Sequence, residues 1–289
     1  MTEPVDLRSL VAGGGFFEAP RWHLGHWWVS DFLRRQVLTV SPDGQQRVVV
    51  ELDDQPSGLG WLPDGTLLVV SMLDRRVLRV DGRSVDIHAD LGAITHAPLN
   101  DMLVTSAGTA FVGGFGFEVG VEPPRRGPLV RIEPDGRFEL IADDLWFPNG
   151  MAIHDGELLV AEYLAGVVTA FAIDRHDTLS ARRTFARLLG AVAGDDGPAP
   201  ASASAPDGIA IDPAGHLWIA DPRHRRCVRV ASDGEIVDEI LVPADLRPYA
   251  CAIGGPHGRS LLLCCAATHG PTADGTGTLL TTSLGATGA

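Results

Sequence analysis

The chain has no lysine: all 23 of its basic side chains are arginine. Chemistry that needs an amine, such as a Schiff base or the lysine of a phosphate loop, is therefore closed to it. It also lacks a Gly-x-Ser-x-Gly elbow, a His-Glu-x-x-His helix and a dinucleotide fingerprint, so serine-hydrolase, zincin and nicotinamide chemistries have no signature here. Cysteine is scarce: Cys227, Cys251, Cys264 and Cys265 lie in the last quarter without a Cys-x-x-Cys spacing. Buried free thiols are expected rather than a zinc knuckle or redox pair. No stretch approaches the ~20 apolar residues of a membrane span. Met1 to Leu10 shows no basic segment followed by an apolar run, so the expected address is the cytoplasm. Positive charge is in deficit, with 23 basic against 37 acidic residues and a net charge of −14. That balance repels polyphosphate and offers no footprint to nucleic acid or an anionic membrane. A cation or a neutral small molecule is the expected partner.

What is present is a globular composition, 45% hydrophobic and 21% charged over 289 residues, and it is repetitive. Six short apolar runs end in a small residue and then a polar or small one: His26–Asp31, Leu67–Ser71, Ala110–Gly113, Leu158–Glu162, Leu217–Asp221 and Leu261–Cys265. Each reads as a buried strand. Aligned on Val29, Val70, Val112, Val160, Ile219 and Leu263, they are spaced by 41, 42, 48, 59 and 44 residues, the length of a four-stranded blade. The prediction is all-β: one six-bladed β-propeller spanning residues 1–289, with a metal site in its central channel. Pro42-Asp43-Gly44, Pro63-Asp64-Gly65, Pro134-Asp135-Gly136, Pro213-Ala214-Gly215 and Ser232-Asp233-Gly234 read as hairpin tips. The one long spacing contains Gly190 to Ala205, rich in Ala, Gly, Pro and Ser, and is expected to be a mobile loop. The sixth repeat is one strand short, and Val5 to Val11 is expected to supply it, because an open ring would expose strand edges.

Eleven or twelve residues before each aligned position stand Glu18, Gly58, Asn100, Asn149, Asp207 and Cys251, near the start of the strand that lines the channel. Four of the six carry oxygen donors. Pseudo-symmetry brings them together on the axis, where two carboxylates in a partly desolvated space repel each other. A hard divalent cation resolves that cost, and all-oxygen ligation favours Ca²⁺ or Mg²⁺. The competing reading takes Asn149-Gly150 and Asp207-Gly208 as plain turns.

Several segments together resemble the senescence-marker-protein/gluconolactonase/luciferin-regenerating-enzyme family: Glu18-Ala19-Pro20-Arg21-Trp22, Asn100-Asp101-Met102, Val112–Phe117, Phe147–Met151, Pro206–Asp212 with Leu217–Asp221, and Cys251–Gly255. The likeness runs from about Gly15 to Ala267. It implies that Glu18, Asn149 and Asp207 bind one divalent metal, Ca²⁺ first with Mg²⁺, Mn²⁺ or Zn²⁺ as alternatives. It further implies that Asp207 handles protons as water attacks a lactone. Asn100 is carried over as a contact to substrate or to a metal-bound water, and Asp101 and Glu118 as substrate contacts. One departure matters: sugar-lactone members place a substrate-binding arginine two residues before Asn100, where this chain has Pro98, and proline has no side-chain donor. His96 is the candidate replacement donor. The function expected is metal-dependent opening of a lactone to its hydroxy acid. Phosphotriester or aryl-ester hydrolysis on the same scaffold and a non-catalytic calcium- or ligand-binding propeller are the alternatives. Asp31, Glu162 and Asp221 read as solvated strand ends, and Arg223 to Arg226 as a solvated hairpin or ion-pair partner.

Overall fold

A computed structural model describes residues 6–82, 84–192, 197–267 and 275–284. All of its strands fall into six four-stranded antiparallel sheets, with no helix among the described residues. Five of the sheets are built from four successive strands, each beginning at the axis and stepping outward. The innermost strands are Phe17–His23, Pro56–Trp61, Leu99–Val104, Pro148–His154, Ile209–Ile211 and Arg247–Gly254. Each contacts the innermost strand of the next blade, and the last contacts the first, so the ring is closed.

The sixth sheet breaks the chain order. Its outermost strand is Arg8–Gly14, antiparallel to Gly277–Ser283. The N-terminal strand thus completes the last blade, three residues later than expected, and Val5 lies outside the described residues.

The second strand of each blade is the most deeply buried, because sheets pack on both of its faces: every residue of Leu67–Ser71, Ala110–Gly114 and Leu217–Asp221 is buried. Outermost strands such as Ile236–Leu241 are mostly exposed. Gly44, Gly65, Gly136, Gly215 and Gly234 adopt φ of +80° to +90°, as hairpin tips require. Gly150 and Gly208 do not. A Cβ there would stand 2.6 Å from the Ile209 nitrogen and from Ala250, respectively. These glycines let neighbouring innermost strands approach, so the Asn-Gly and Asp-Gly pairs are inter-blade packing motifs rather than turns.

The described part of the 190–205 segment is packed, not free. Ser204 N donates to Leu189 O at 2.8 Å and Ala199 N to Leu164 O at 2.6 Å, and Ala203, Ser204 and Ala205 are buried. Its small side chains are what allow it to lie flat: a Cβ on Gly190 would already touch Ala203 at 3.0 Å. Residues 193–196 lie outside the described residues.

Candidate active site

Glu18, Asn100, Asn149 and Asp207 line one cavity of about 830 Å³ at the axial end of the blades. Local backbone geometry puts them there. The ladders to the second strands skip residues between Glu18 and Arg21, between Leu99 and Met102, and between Pro148 and Met151. Such bulges turn a side chain out of the pleat, and they free Asn100 and Asn149 to face the axis. Asp207 stands two residues ahead of its strand, its N–H donating to Ala220 O at 3.0 Å.

The other two aligned positions behave differently. Gly58 presents no side chain and packs on Met102. Cys251 faces away, its Sγ 3.4 Å from Gly208 O and 3.5 Å from Trp218 O. A bulge between Pro248 and Ala250 offsets the register, and Tyr249 takes the axial place instead. All four cysteines are free and buried, and burial pushes the Cys227 and Cys264 thiols well above their usual range.

The two axial carboxylates are electrostatically uncomfortable. Burial, with Asp101 nearby, pushes Glu18 up to about 8, although the Ala19 N–H at 3.0 Å and Arg21 act against the shift. Asp207 is raised well above the carboxylate range by burial first and then by the charges of Glu18 and Asp101, with a hydrogen bond from Asn149 opposing. Asn100 Nδ2 donates to Pro148 O at 3.4 Å, which leaves its amide oxygen as an acceptor. Among the described residues no three His, Cys, Asp or Glu side chains converge as a metal-binding cluster. The axial set is two carboxylates and two amides.

Asp101, expected to touch substrate, does not line the cavity. Its Oδ1 receives Arg21 Nη2 at 2.9 Å, and the same nitrogen donates to Met102 O at 2.6 Å. Glu118 lies exposed at the mouth, where its N–H donates to Glu122 Oε2 at 2.9 Å. Pro98 lines the wall, and His96 Nε2 is 3.1 Å from Glu122 Oε2.

Asp31, Glu162 and Asp221 are buried, not solvated. Asp31 accepts the N–H groups of Gly15 at 2.8 Å and Phe16 at 3.1 Å. Glu162 accepts Trp146 N–H at 2.7 Å and the Thr169 hydroxyl. Asp221 accepts Ala205 N–H at 3.1 Å and pairs with His224 and Arg226. Each ties the segment that leads into an innermost strand. The backbone N–H groups that each accepts from that preceding segment are what alternation along the strand itself cannot reveal.

Sequence reasoning missed the cavity's aromatic side chains and Arg223. The Arg223 guanidinium lies 5.2 Å over the Tyr163 ring, and Nη1 donates to the Pro200 and Ala203 carbonyls, both at 3.3 Å. Burial, with Asp207 adding, pushes the Tyr163 phenol up to about 12, so it stays protonated. The available signal was position: Phe147 directly precedes, and Tyr163 directly follows, segments already aligned on the axis.

A family model described as the SMP-30/gluconolactonase/LRE-like region matches residues 16–267. A pentonolactonase from Haloferax volcanii is 29% identical over 240 residues, covering 78% of this chain and 75% of its own. A 6-deoxy-6-sulfogluconolactonase from Pseudomonas putida is 25% identical over 264 residues, covering 85% and 81%. The solved structure of regucalcin from Agrobacterium tumefaciens, described as a calcium-binding protein, superposes with a TM-score of 0.78 over 98% of this chain and 96% of that one, at 19% identity.

Proposed function

The chain belongs to the SMP-30/gluconolactonase/LRE-like family, and on that premise we propose that it is a lactonase that uses a divalent cation to open a small cyclic ester to its hydroxy acid. The observation that carries the reading is the pair Glu18, half-buried, and Asp207, buried, at the floor of the cavity, where desolvation and the repulsion between them oppose ionisation. Arg21, a positive group that acts on Glu18, is bound to Asp101. Oxygen donors of this kind fit a hard ion, and Glu18, Asp207 and Asn149 are the residues that would hold it. When bound, it supplies positive charge that lets both carboxylates ionise and that polarises an ester carbonyl.

The chain's own groups supply the rest. Asp207 accepts the proton of the attacking water and returns it to the leaving alkoxide, so water adds across the acyl carbon–oxygen bond and no net proton is consumed at the carboxylate. Asn149, through its hydrogen bond to Asp207, fixes the orientation of that base. Asn100 offers its amide to the substrate from the neighbouring blade, and the Tyr163 phenol, protonated across the working range, is a donor on the wall.

The test is a pH-indicator hydrolysis assay on five- and six-membered lactones, with Ca²⁺, Mg²⁺, Mn²⁺ or Zn²⁺ restored after chelation. Metal-dependent acidification is the expected result. Tight Ca²⁺ binding with no turnover of any lactone would overturn the reading in favour of a binding propeller.

A further inference from the structure

Above its oxygen-lined floor the cavity is aromatic. The chain has ten phenylalanines and two tyrosines, and five of those phenylalanines and both tyrosines line this one space. They form two walls. On one side Phe16 contacts Phe32 at 5.6 Å and Tyr249 at 4.7 Å between ring centroids. On the other, Phe147 contacts Phe115 at 4.2 Å, Phe117 at 6.1 Å and Tyr163 at 5.1 Å. Met72 and Leu164 add to the apolar lining.

Phe147 is held there at a cost. Its φ is +59°, a left-handed conformation that a bulky side chain rarely adopts. Strain of this sort persists where the surrounding structure imposes it, and it clusters at ligand sites. At Phe147 the strained backbone turns a large ring toward the cavity, one residue before the strand that carries Asn149.

A polyhydroxylated ring needs a polar partner for each hydroxyl it brings out of water, because an unpartnered one costs most of its desolvation. The walls offer the Tyr163 phenol as a donor, and their charged side chains are in part committed to protein partners. Arg75 donates to Leu73 O at 2.8 Å, His96 is engaged with Glu122, and Arg223 holds two backbone carbonyls. Gln55 is the one neutral amide on the described walls above the floor. Pro98 contributes no donor.

We propose that the lactone taken by this site carries an apolar alkyl or aryl substituent, seated between the two aromatic walls, in place of the hydroxyl groups of a sugar lactone. The inference rests on the lactonase reading for the ring and on the walls for the substituent, so the two are tested separately.

The experiment compares matched five-membered rings on the metal-loaded protein: γ-butyrolactone, γ-hexalactone, γ-octalactone and γ-decalactone against a pentono-1,4-lactone. Full burial is worth about fourfold per methylene, so with about half of the hexyl chain buried kcat/KM is expected to climb along the alkyl series and to exceed the pentonolactone by about 100-fold at its end. A pentonolactone turned over as fast as γ-decalactone overturns the apolar substituent and leaves the lactonase reading standing. If no lactone is hydrolysed, the lactonase reading fails, and the walls are read by calorimetry with unreactive lactams. A 5-hexylpyrrolidin-2-one bound at least about 30-fold more tightly than a trihydroxylated pyrrolidinone sustains the proposal, and equal or weaker binding overturns it. Phe147→Gly removes one wall while relieving the positive φ. It is expected to fold and to flatten the dependence of kcat/KM on chain length, whereas an equal loss on every substrate would count against the proposal.

Discussion

Asp31 and Asp207 are both buried carboxylates at the same end of the propeller, yet they are treated in opposite ways. Asp31 accepts backbone N–H groups from Gly15, Phe16 and Arg34. Asp207 has the Asn149 amide and little else, with Glu18 and Asp101 adding repulsion. The contrast recurs around the ring. Asp31 sits across the ladder from Phe17, next to Glu18, and Glu162 sits across from Pro148, next to Asn149. Asp221 follows Ala220, whose carbonyl receives the Asp207 N–H. The three blades that supply the proposed cation ligands are thus the three that carry a satisfied carboxylate one step away. The lesson is that burial alone does not mark function. A buried acid with a full set of donors braces the strand, and the buried acid left short of donors beside it is available for chemistry.

Exchanging the two roles by mutation should separate them. Asp207→Asn is expected to lower kcat/KM by about 1,000-fold or more while leaving the thermal midpoint of the chelated protein unchanged or higher; activity within tenfold of the parent would end its assignment as base. Asp221→Ala should do the reverse, leaving the Ala205 N–H without its acceptor, taking the carboxylate from His224 and one of two from Arg226, and costing about 3 kcal/mol of stability. Thermal melts that place it within 1 °C of the parent would contradict a bracing role. pH gives a gentler comparison. Because Glu18 titrates near 8 in the folded chain and near 4.5 when unfolded, the native state holds more protons between those values and loses stability as pH rises through them. The chelated protein is therefore expected to melt higher at pH 5.5 than at pH 8, and a divalent cation should erase the difference. Smallest of all, Glu18→Gln should raise the melting point of the chelated protein at pH 8 by a few degrees and flatten that slope; an unchanged slope would place the destabilising charge elsewhere.

The architecture was legible because each blade repeats one buried second strand, and burial on both faces writes a continuous apolar run such as Leu67–Val70 into the sequence. Counting back from that run located Glu18, Asn100, Asn149 and Asp207 because the intervening hairpins are nearly constant in length. It failed at Cys251, where a bulge shifts the register and delivers Tyr249. Asp101 was misplaced for a related reason: the bulge that frees Asn100 sends its neighbour to Arg21. The aromatic walls were invisible. Phe32, Phe115 and Tyr163 occupy the connections just beyond second strands, where no period applies, and only the closed ring sets them opposite one another.

The strand that closes that ring comes before the other described strands in the sequence and pairs with the one that follows them all. Arg8–Gly14 has to wait until Gly277–Ser283 has been synthesised before its ladder forms, so its edge stays unpaired while the five blades between them are made. A contact of such long sequence separation makes for slow folding. It also makes the finished molecule a buckled belt: the pairing of Arg8–Gly14 with Gly277–Ser283 is the clasp of the last blade, whose innermost strand packs on the one that carries Glu18. Loss of the Arg8–Gly14 strand would consequently be felt at the floor of the cavity, through geometry alone.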